Sequence, residues 1–195
     1  DPLPLIEAAP AMQGPASRPS NPVPMEPVLK EQHLVFHENQ RGLSFDKLFS
    51  PYLVGAKRII ITDPYLRMFH QLRNLMELME TISKLQGPED EVVVHVVTVE
   101  DDSNGDRQTE SLQKIADACT GVGIQFSWAY DTSGTKHDRD ITTDTGWKIV
   151  LGRGLDVFQR FELNDAFSFA NRLQQHRQCK EFSVTFVRVG PAACS

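Results

Sequence analysis

The chain has 195 residues, 40% of them hydrophobic, which is enough material for one packed domain and a tail. A net charge of −6 and a pI near 5.5 exclude a broadly basic protein, so nucleic acid or anionic lipid would need a local basic patch. No apolar run approaches the roughly 20 residues of a membrane-spanning helix.

Most of the twelve prolines lie in residues 1–30, which favours extended polyproline II backbone over helix or central strand. We interpret residues 1–32 as a proline-rich flexible linker and residues 33–195 as the folded domain. A docking peptide is the rival interpretation, although no repeated PxxP core flanked by basic residues occurs there. Because the first residue is Asp1 rather than Met, we expect the sequence to be part of a longer protein.

The sequence between residues 43 and 85 predicts a helix, a strand and a second helix. Segment 43–53 has Ser44 as a candidate N-cap and apolar residues at helical spacing behind it. Segment 57–66 contains three consecutive isoleucines, as expected of a strand buried on both faces, and Pro64 ends it. Segment 66–85 repeats apolar residues in steps of three and four, which predicts a long amphipathic helix.

The following segments continue the alternation of strand and helix. Residues 91–100 are mostly β-branched and predict a second buried strand. Residues 106–123 predict a helix that ends at glycine, and residues 124–130 alternate as a third strand does. A further strand is predicted at residues 181–189.

The turn sequence Asp144-Thr145-Gly146 predicts a β-hairpin between two short strands near the end of the chain. Strands that alternate with two amphipathic helices imply βαβ units. We therefore expect an α/β fold: a single domain with a mostly parallel mixed sheet flanked by helices, plus a C-terminal β-hairpin.

Cysteine usage bears on the cellular compartment. Cys119, Cys179 and Cys194 form no CxxC pair and no metal-ligand cluster, which favours a reducing compartment over a disulfide framework. There is no signal-peptide profile. These features predict a cytoplasmic protein, able to associate with membranes peripherally, that uses no metal and no cofactor.

The segment HDRDITTD presents candidate catalytic residues in the frame His-x-Arg-x4-Asp: His137, Arg139 and Asp144. On an extended strand His137 and Arg139 share a face, and Asp144 lies in the turn, from which it can fold back. A nucleophilic histidine needs a carboxylate to orient it and a cation to hold a phosphate, and the frame supplies both. The frame resembles the His-x-Lys-x4-Asp signature of the phospholipase D superfamily.

Two observations weigh against catalysis by this frame. Phospholipase D chemistry uses two such motifs, and only one occurs here, so a homodimer would have to supply the second. Arginine in the lysine position also differs in reach and geometry. The structural alternative is that His137 and Arg139 pair with carboxylates to fix the hairpin, and both readings stay open.

The segment TDPYLRMFHQL joins the end of a strand to a helix, where parallel α/β sheets usually bind ligands. We interpret Asp63 and Pro64 as a structural cap and first-turn proline. That interpretation leaves Tyr65, Arg67 and His70 as ligand-binding candidates.

The segment GWKIVLGRGLD supplies the last candidates. Gly152 and Gly154 bracket Arg153, so the backbone can aim its side chain towards a ligand. Asp156 is the expected partner of Arg153. Trp147, which follows the turn glycine Gly146, is interpreted as packing rather than as a substrate platform.

Together these segments, with GLSFDKLFSPYL, resemble the C-terminal phospholipase D-like domain that follows the microtubule-interacting-and-trafficking (MIT) domain in ESCRT-associated proteins. The resemblance covers roughly residues 33–189. It implies a domain that homodimerises, binds acidic phosphoinositide-containing membranes and is not catalytic, with protein partners bound by an upstream domain. The matching positions are Asp63, Pro64, Tyr65, Arg67, His70, Gln71, His137, Asp138, Arg139, Gly146, Trp147, Gly152, Arg153, Gly154, Leu155 and Asp156.

Three hypotheses follow from these observations. The favoured one is a non-catalytic, homodimeric interaction domain that binds an anionic ligand or membrane surface within a larger protein. The second is a dimeric phosphodiesterase or nuclease that uses His137 from each subunit, the only reading that involves nucleic acid. The third is a purely structural oligomerisation module.

Overall fold

The computed structural model describes residues 28–135 and 137–190. The predicted linker lies almost entirely outside the described residues, as does Cys194, so the domain boundary at residue 32 stays a prediction. The elements in chain order are β1 (Gln32–Phe36), α1 (Phe45–Leu53), β2 (Arg58–Thr62), α2 (Phe69–Ser83), β3 (Val92–Thr98), α3 (Gly105–Cys119), β4 (Ile124–Tyr130), β5 (Asp140–Thr143), β6 (Trp147–Leu151), α4 (Phe169–Arg172), a 3-10 turn (Gln174–His176) and β7 (Phe182–Arg188).

Within these residues the strands form one seven-stranded sheet in the order β1-β7-β6-β5-β2-β3-β4. The mixed α/β fold is confirmed, and β5 and β6 form the predicted hairpin. Strands β2, β3 and β4 pair in parallel through βαβ connections. The sheet is not mostly parallel as predicted, because the other four pairings are antiparallel. Strand β6 follows β5 through a three-residue turn, which is long enough for an antiparallel pairing but too short for the crossover that a parallel pairing requires.

One face of the sheet carries the core, and the helices pack against that face. Burial alternates along β2, β3 and β7, as it does when one side of a strand is covered. In β3 the covered side holds Val92, Val94 and Val96. The opposite side, which includes Val93 and Val97, is only half-buried. The prediction of strands buried on both faces is therefore wrong, and the sheet has one covered and one open face in the described residues.

Helices α1 and α2 begin where side chains satisfy their first amide groups. The Ser44 hydroxyl accepts a hydrogen bond from Lys47 N at 3.1 Å, so Ser44 is the N-cap of α1 as predicted. Helix α2 begins at Phe69, later than expected, because the Gln71 side chain accepts from the backbone N–H of Met68 at 2.8 Å. Residues 63–68 consequently form a turn rather than the first turn of the helix.

Candidate functional site

Three segments meet at the edge of the sheet where β2 ends. In the sheet register Ile61 lies beside Ile141 of β5, so Arg139, just before β5, lies beside the residues that follow β2. Strand β6 leaves the sheet at the same edge, after Leu151. The segments enclose a cleft of about 200 Å³, which we call the arginine cleft; it is lined by Asp63, Tyr65, Leu66, Gln71, Asn74, Arg139, Arg153, Leu155 and Asp156.

Arg139 is half-buried in the wall of the arginine cleft. Its guanidinium lies over the ring of Tyr65, with Cζ 4.4 Å from the ring centroid, which is a cation–π contact. Its carbonyl accepts a hydrogen bond from Leu151 N at 2.8 Å, which fixes its backbone beside the end of β6. Arg139 is therefore positioned by both neighbouring segments.

Arg153 is exposed and lies between the arginine cleft and an adjoining cleft of about 350 Å³. Its Nε donates to the carbonyl of Glu181 at 3.2 Å, which leaves the two terminal nitrogens directed away from that bond. The expected partnership of Arg153 with Asp156 is wrong. Asp156 instead pairs with Lys180, whose Nζ lies 2.9 Å from Asp156 Oδ2.

Gly154 allows the loop after β6 to approach the other two segments closely. Its φ of +63° is in the left-handed region that favours glycine. A Cβ at this position would lie 2.6 Å from Asp63 Oδ2 and 3.1 Å from Arg139 Cδ. A side chain at residue 154 would therefore displace the walls of the cleft.

Asp63 is the buried carboxylate of the arginine cleft, with 5% of its surface exposed. Oδ1 accepts a hydrogen bond from Tyr65 N at 2.9 Å, so the residue closes the turn after β2 rather than capping α2. Burial raises the pKa of Asp63, and the charge of Asp156 acts in the same direction. The Tyr65 hydrogen bond and the Arg139 guanidinium oppose this rise without cancelling it.

The structure separates the three residues of the His-x-Arg-x4-Asp frame. His137 is exposed and precedes β5, which begins at Asp140, so the expected shared strand face with Arg139 does not exist. Asp144 lies beyond the opposite end of β5, roughly 15 Å from Arg139 along an extended strand. Its carboxylate accepts from Lys57 N at 3.0 and 3.3 Å. Of the three, the described residues place only Arg139 in the cleft.

Arg67 and His70 also lie outside the lining of the arginine cleft. Arg67 precedes α2, and its Nε donates to the carbonyl of Pro64 at 3.2 Å. His70 is exposed in the first turn of α2. The two do not share a helical face as expected, because the helix begins only at Phe69. Asn74, which lines the cleft, was missed in the sequence, although it lies one helical turn after Gln71.

Structural roles are visible for the remaining candidates. Trp147 is buried and packs edge-on against Tyr52, with centroids 4.9 Å apart. Gly146 has a φ of +95°, and a Cβ there would lie 2.9 Å from the carbonyl oxygen of Val189. At Gly152 a Cβ would lie 2.8 Å from Ser183 Oγ.

Comparison with known sequences shows which family the chain belongs to. The family described as "Phospholipase D-like domain at C-terminus of MIT" matches residues 42–188, which include every segment that forms the arginine cleft. The chain belongs to this family. A curated relative, MIT domain-containing protein 1 of Mus musculus, is 33% identical over 131 residues, which is 66% of this chain and 51% of the relative. The chain thus spans about half the length of that relative.

Proposed function

We propose that this phospholipase D-like domain is a non-catalytic interaction module that binds the phosphates of a phosphoinositide-bearing membrane surface. The observation that carries the proposal is the presence of Arg139 and Arg153 in the wall of one cleft. Guanidinium groups donate pairs of parallel hydrogen bonds that match phosphate geometry, and they remain charged at any physiological pH. The Tyr65 ring holds Arg139 in place before a ligand arrives.

The charge balance of the cleft supports an anionic ligand despite the acidic chain. Asp156 is neutralised by Lys180, and the buried Asp63 lies beside Arg139. Arg153, by contrast, contacts a neutral carbonyl, and none of the salt bridges among the described residues involves it. The cleft is lined by two arginines and two carboxylates, and Lys180 beside Asp156 brings the local sum to +1, so Arg153 supplies the positive charge that a protein with net charge −6 needs for binding phosphate.

The same geometry favours binding over phosphodiesterase chemistry. A histidine nucleophile needs a carboxylate to orient its ring, and Asp144 lies at the far edge of the sheet from Arg139. His137 is not among the residues that line the cleft.

Homodimerisation is part of the proposal, and the open face of the sheet is the surface that favours it. Val93, Val97 and Val187 lie half-buried on strands whose opposite sides are fully covered. The same face also carries polar side chains such as His95 and Lys148, so the apolar part is the pair of valines on β3, which we infer packs against a second copy. We expect Val93→Lys combined with Val97→Lys to convert a dimer into a monomer in light scattering, while Val122→Lys on an exposed turn leaves it intact.

The longer protein provides the context of the proposal. The family is defined by its position after an MIT domain, and the mouse relative is named for that domain. We propose that an upstream MIT domain selects an ESCRT-associated protein partner while the arginine cleft holds the membrane. None of the helices in the described part of the chain is long and apolar enough to cross a bilayer.

Sedimentation with vesicles tests the proposed function. Neutral phosphatidylcholine vesicles, with and without phosphoinositide, are mixed with wild-type protein and with Arg139→Ala combined with Arg153→Ala. We expect wild type to sediment only with phosphoinositide, less so at high salt, and the double variant to stay in solution. Lys57→Ala combined with Arg58→Ala removes two charges from the other edge of the sheet and is the matched control. Equal sedimentation of the two double variants would contradict the proposal.

A further inference from the structure

The segment between Phe158 and the 3-10 turn presents apolar side chains to solvent, and we call residues 159–173 the aromatic loop. Phe167 is 98% exposed, Phe169 is 69% exposed and Leu163 is 45% exposed. Isolated exposed apolar residues are common, but two neighbouring phenylalanines at this exposure on a loop mark an interaction site.

The backbone of the aromatic loop is closed by its own side chains. Asn171 Nδ2 donates to the carbonyl of Glu162 at 2.5 Å and to the carbonyl of Asp165. Arg172 donates from Nε and from Nη2 to the carbonyl of Ala166 at 3.4 and 3.3 Å. The loop is therefore a compact Ω-type structure in which three carbonyls near its tip, those of Glu162, Asp165 and Ala166, accept hydrogen bonds from protein side chains. Such a loop can enter an apolar medium at a lower cost than an open one.

The base of the aromatic loop is anchored to α2. Arg177, 4% exposed, forms a salt bridge with Glu77 at 2.8 Å and donates to the carbonyl of Ala170 at 2.6 Å. The guanidinium groups of Arg177 and Arg73 lie over the ring of Phe161, at 4.1 and 5.0 Å from its centroid. These contacts leave Phe167 as the most exposed side chain of the loop, and one side of the Phe169 ring packs against His176 with centroids 5.3 Å apart.

Helix α2 separates the aromatic loop from the arginine cleft. Gln71 and Asn74 line the cleft, whereas Arg73 and Glu77 of the same helix hold the loop. Phe69, at the first turn of α2, is 71% exposed and adds apolar surface at this end of the helix. The two features thus contact the same helix, between Gln71 and Glu77.

We propose that the aromatic loop inserts Phe167 and Phe169 into the interfacial region of an anionic bilayer whose headgroup phosphate occupies the arginine cleft. This inference rests on the proposed function, because it identifies the source of the phosphate as a membrane. Arg160, exposed at the start of the loop, and Arg172, exposed and bonded to the Ala166 carbonyl, suit the headgroup level, where amphipathic cations and aromatic rings concentrate.

The loop also carries two acidic residues, and their positions are compatible with insertion. Asp165 Oδ1 accepts from Phe167 N at 3.0 Å, so that carboxylate is used to shape the tip. Glu162 is exposed and lies two residues after the exposed Arg160. Projecting phenylalanines match a fluid apolar phase better than a folded partner, because a protein site would need a complementary pocket.

Phe167→Ser combined with Phe169→Ser is the decisive variant. We expect its affinity for phosphoinositide vesicles to fall by about ten-fold or more, since each phenylalanine loses interfacial burial. Its affinity for soluble inositol phosphate should equal that of wild type, because the arginine cleft is untouched. Val54→Ser combined with Val122→Ser removes two exposed apolar side chains elsewhere and should retain vesicle binding.

A second measurement locates the loop in the bilayer directly. Phe167→Trp should show a blue-shifted emission on vesicle binding and should be quenched by lipids brominated on their acyl chains, relative to wild-type background. If wild type binds soluble inositol phosphate and vesicles, but the serine variant binds vesicles equally or the tryptophan is not quenched, the inference fails and the proposed function stands. If wild type binds neither ligand, both fail. Loss of a protein partner with unchanged vesicle binding would assign the loop to protein docking instead.

Discussion

The two ends of strand β5 differ in how their polar residues are used. At one end Arg139 and the neighbouring Arg153 face a cleft with buried Asp63. At the other end the Asp144 carboxylate accepts from the backbone of Lys57, whose side chain pairs with Asp90 in an exposed ion pair. A motif that is continuous in sequence is thus divided by four strand residues into a site and a turn. Proximity along the chain therefore does not establish a catalytic frame.

The two ends of β5 also differ in the energetic costs of their conformations. The Arg139 end contains the buried carboxyl of Asp63, whose pKa is raised, and Gly154, which has a positive φ and lies in close contact with Asp63. It also contains the exposed guanidinium of Arg153. The Asp144 end satisfies its polar groups locally, with Asp144 N donating to the carbonyl of Arg58 at 3.1 Å. Local costs that persist in a folded domain are typical of functional sites.

The largest expected effect comes from a side chain at Gly154. Gly154→Val should lower the free energy of unfolding by about 2–4 kcal/mol, because it adds a clash with Asp63 to the cost of positive φ. Gly55→Val has a similar φ of +77° with nothing within 4 Å and should cost about 1 kcal/mol. Chemical denaturation measures both. Equal losses would mean that the segments around the cleft are not closely packed.

A smaller effect is expected at the other end of β5, where Asp144 lies. Asp144→Ala should lower the free energy of unfolding by about 1 kcal/mol, because the Lys57 amide loses its acceptor. Its affinity for phosphoinositide vesicles should stay at the wild-type value. A folded Asp144→Ala protein that no longer binds vesicles would show that Asp144 belongs to the binding site. That result would contradict the separation of Asp144 from Arg139.

The smallest effect is a pH dependence from Asp63. Because burial raises its pKa in the folded state, Asp63 favours folding fully below the unfolded value of 3.8 and loses that contribution as pH rises through the folded pKa. Asp63→Asn does not titrate, so its stability relative to wild type should increase over that rise in pH. Thermal unfolding of both proteins from acidic to neutral pH measures the difference. Curves that stay parallel throughout would show that burial does not raise the pKa of Asp63 in the folded protein.

The sequence predicted the fold better than it predicted the site. Apolar periodicity located the strands and helices, and the turn at Asp144-Thr145-Gly146 correctly predicted the hairpin. The strand β1 was missed, because its five residues QHLVF pair with β7, which lies far along the chain. The one-sided burial of the sheet was also missed, since isoleucine and valine runs look alike on covered and open faces.

Within the site, the sequence selected Tyr65, Arg139 and Arg153, which the structure places around one cleft. It also selected His70, which does not line the cleft, because the start of α2 depends on the side chain of Gln71 rather than on apolar spacing. The partner of Asp156 is Lys180, which lies in another loop 24 residues further along the chain. Such contacts follow from tertiary packing and have no local signal.

Calorimetric titration of soluble inositol phosphate tests the central claim most directly, because it involves neither a bilayer nor the aromatic loop. We predict that wild type binds with an affinity that decreases with salt, and that Arg139→Gln combined with Arg153→Gln binds at least about ten-fold more weakly. The Lys57→Ala and Arg58→Ala control should bind as wild type does. Equal affinities for wild type and the glutamine variant would contradict the assignment of the arginine cleft as the phosphate site.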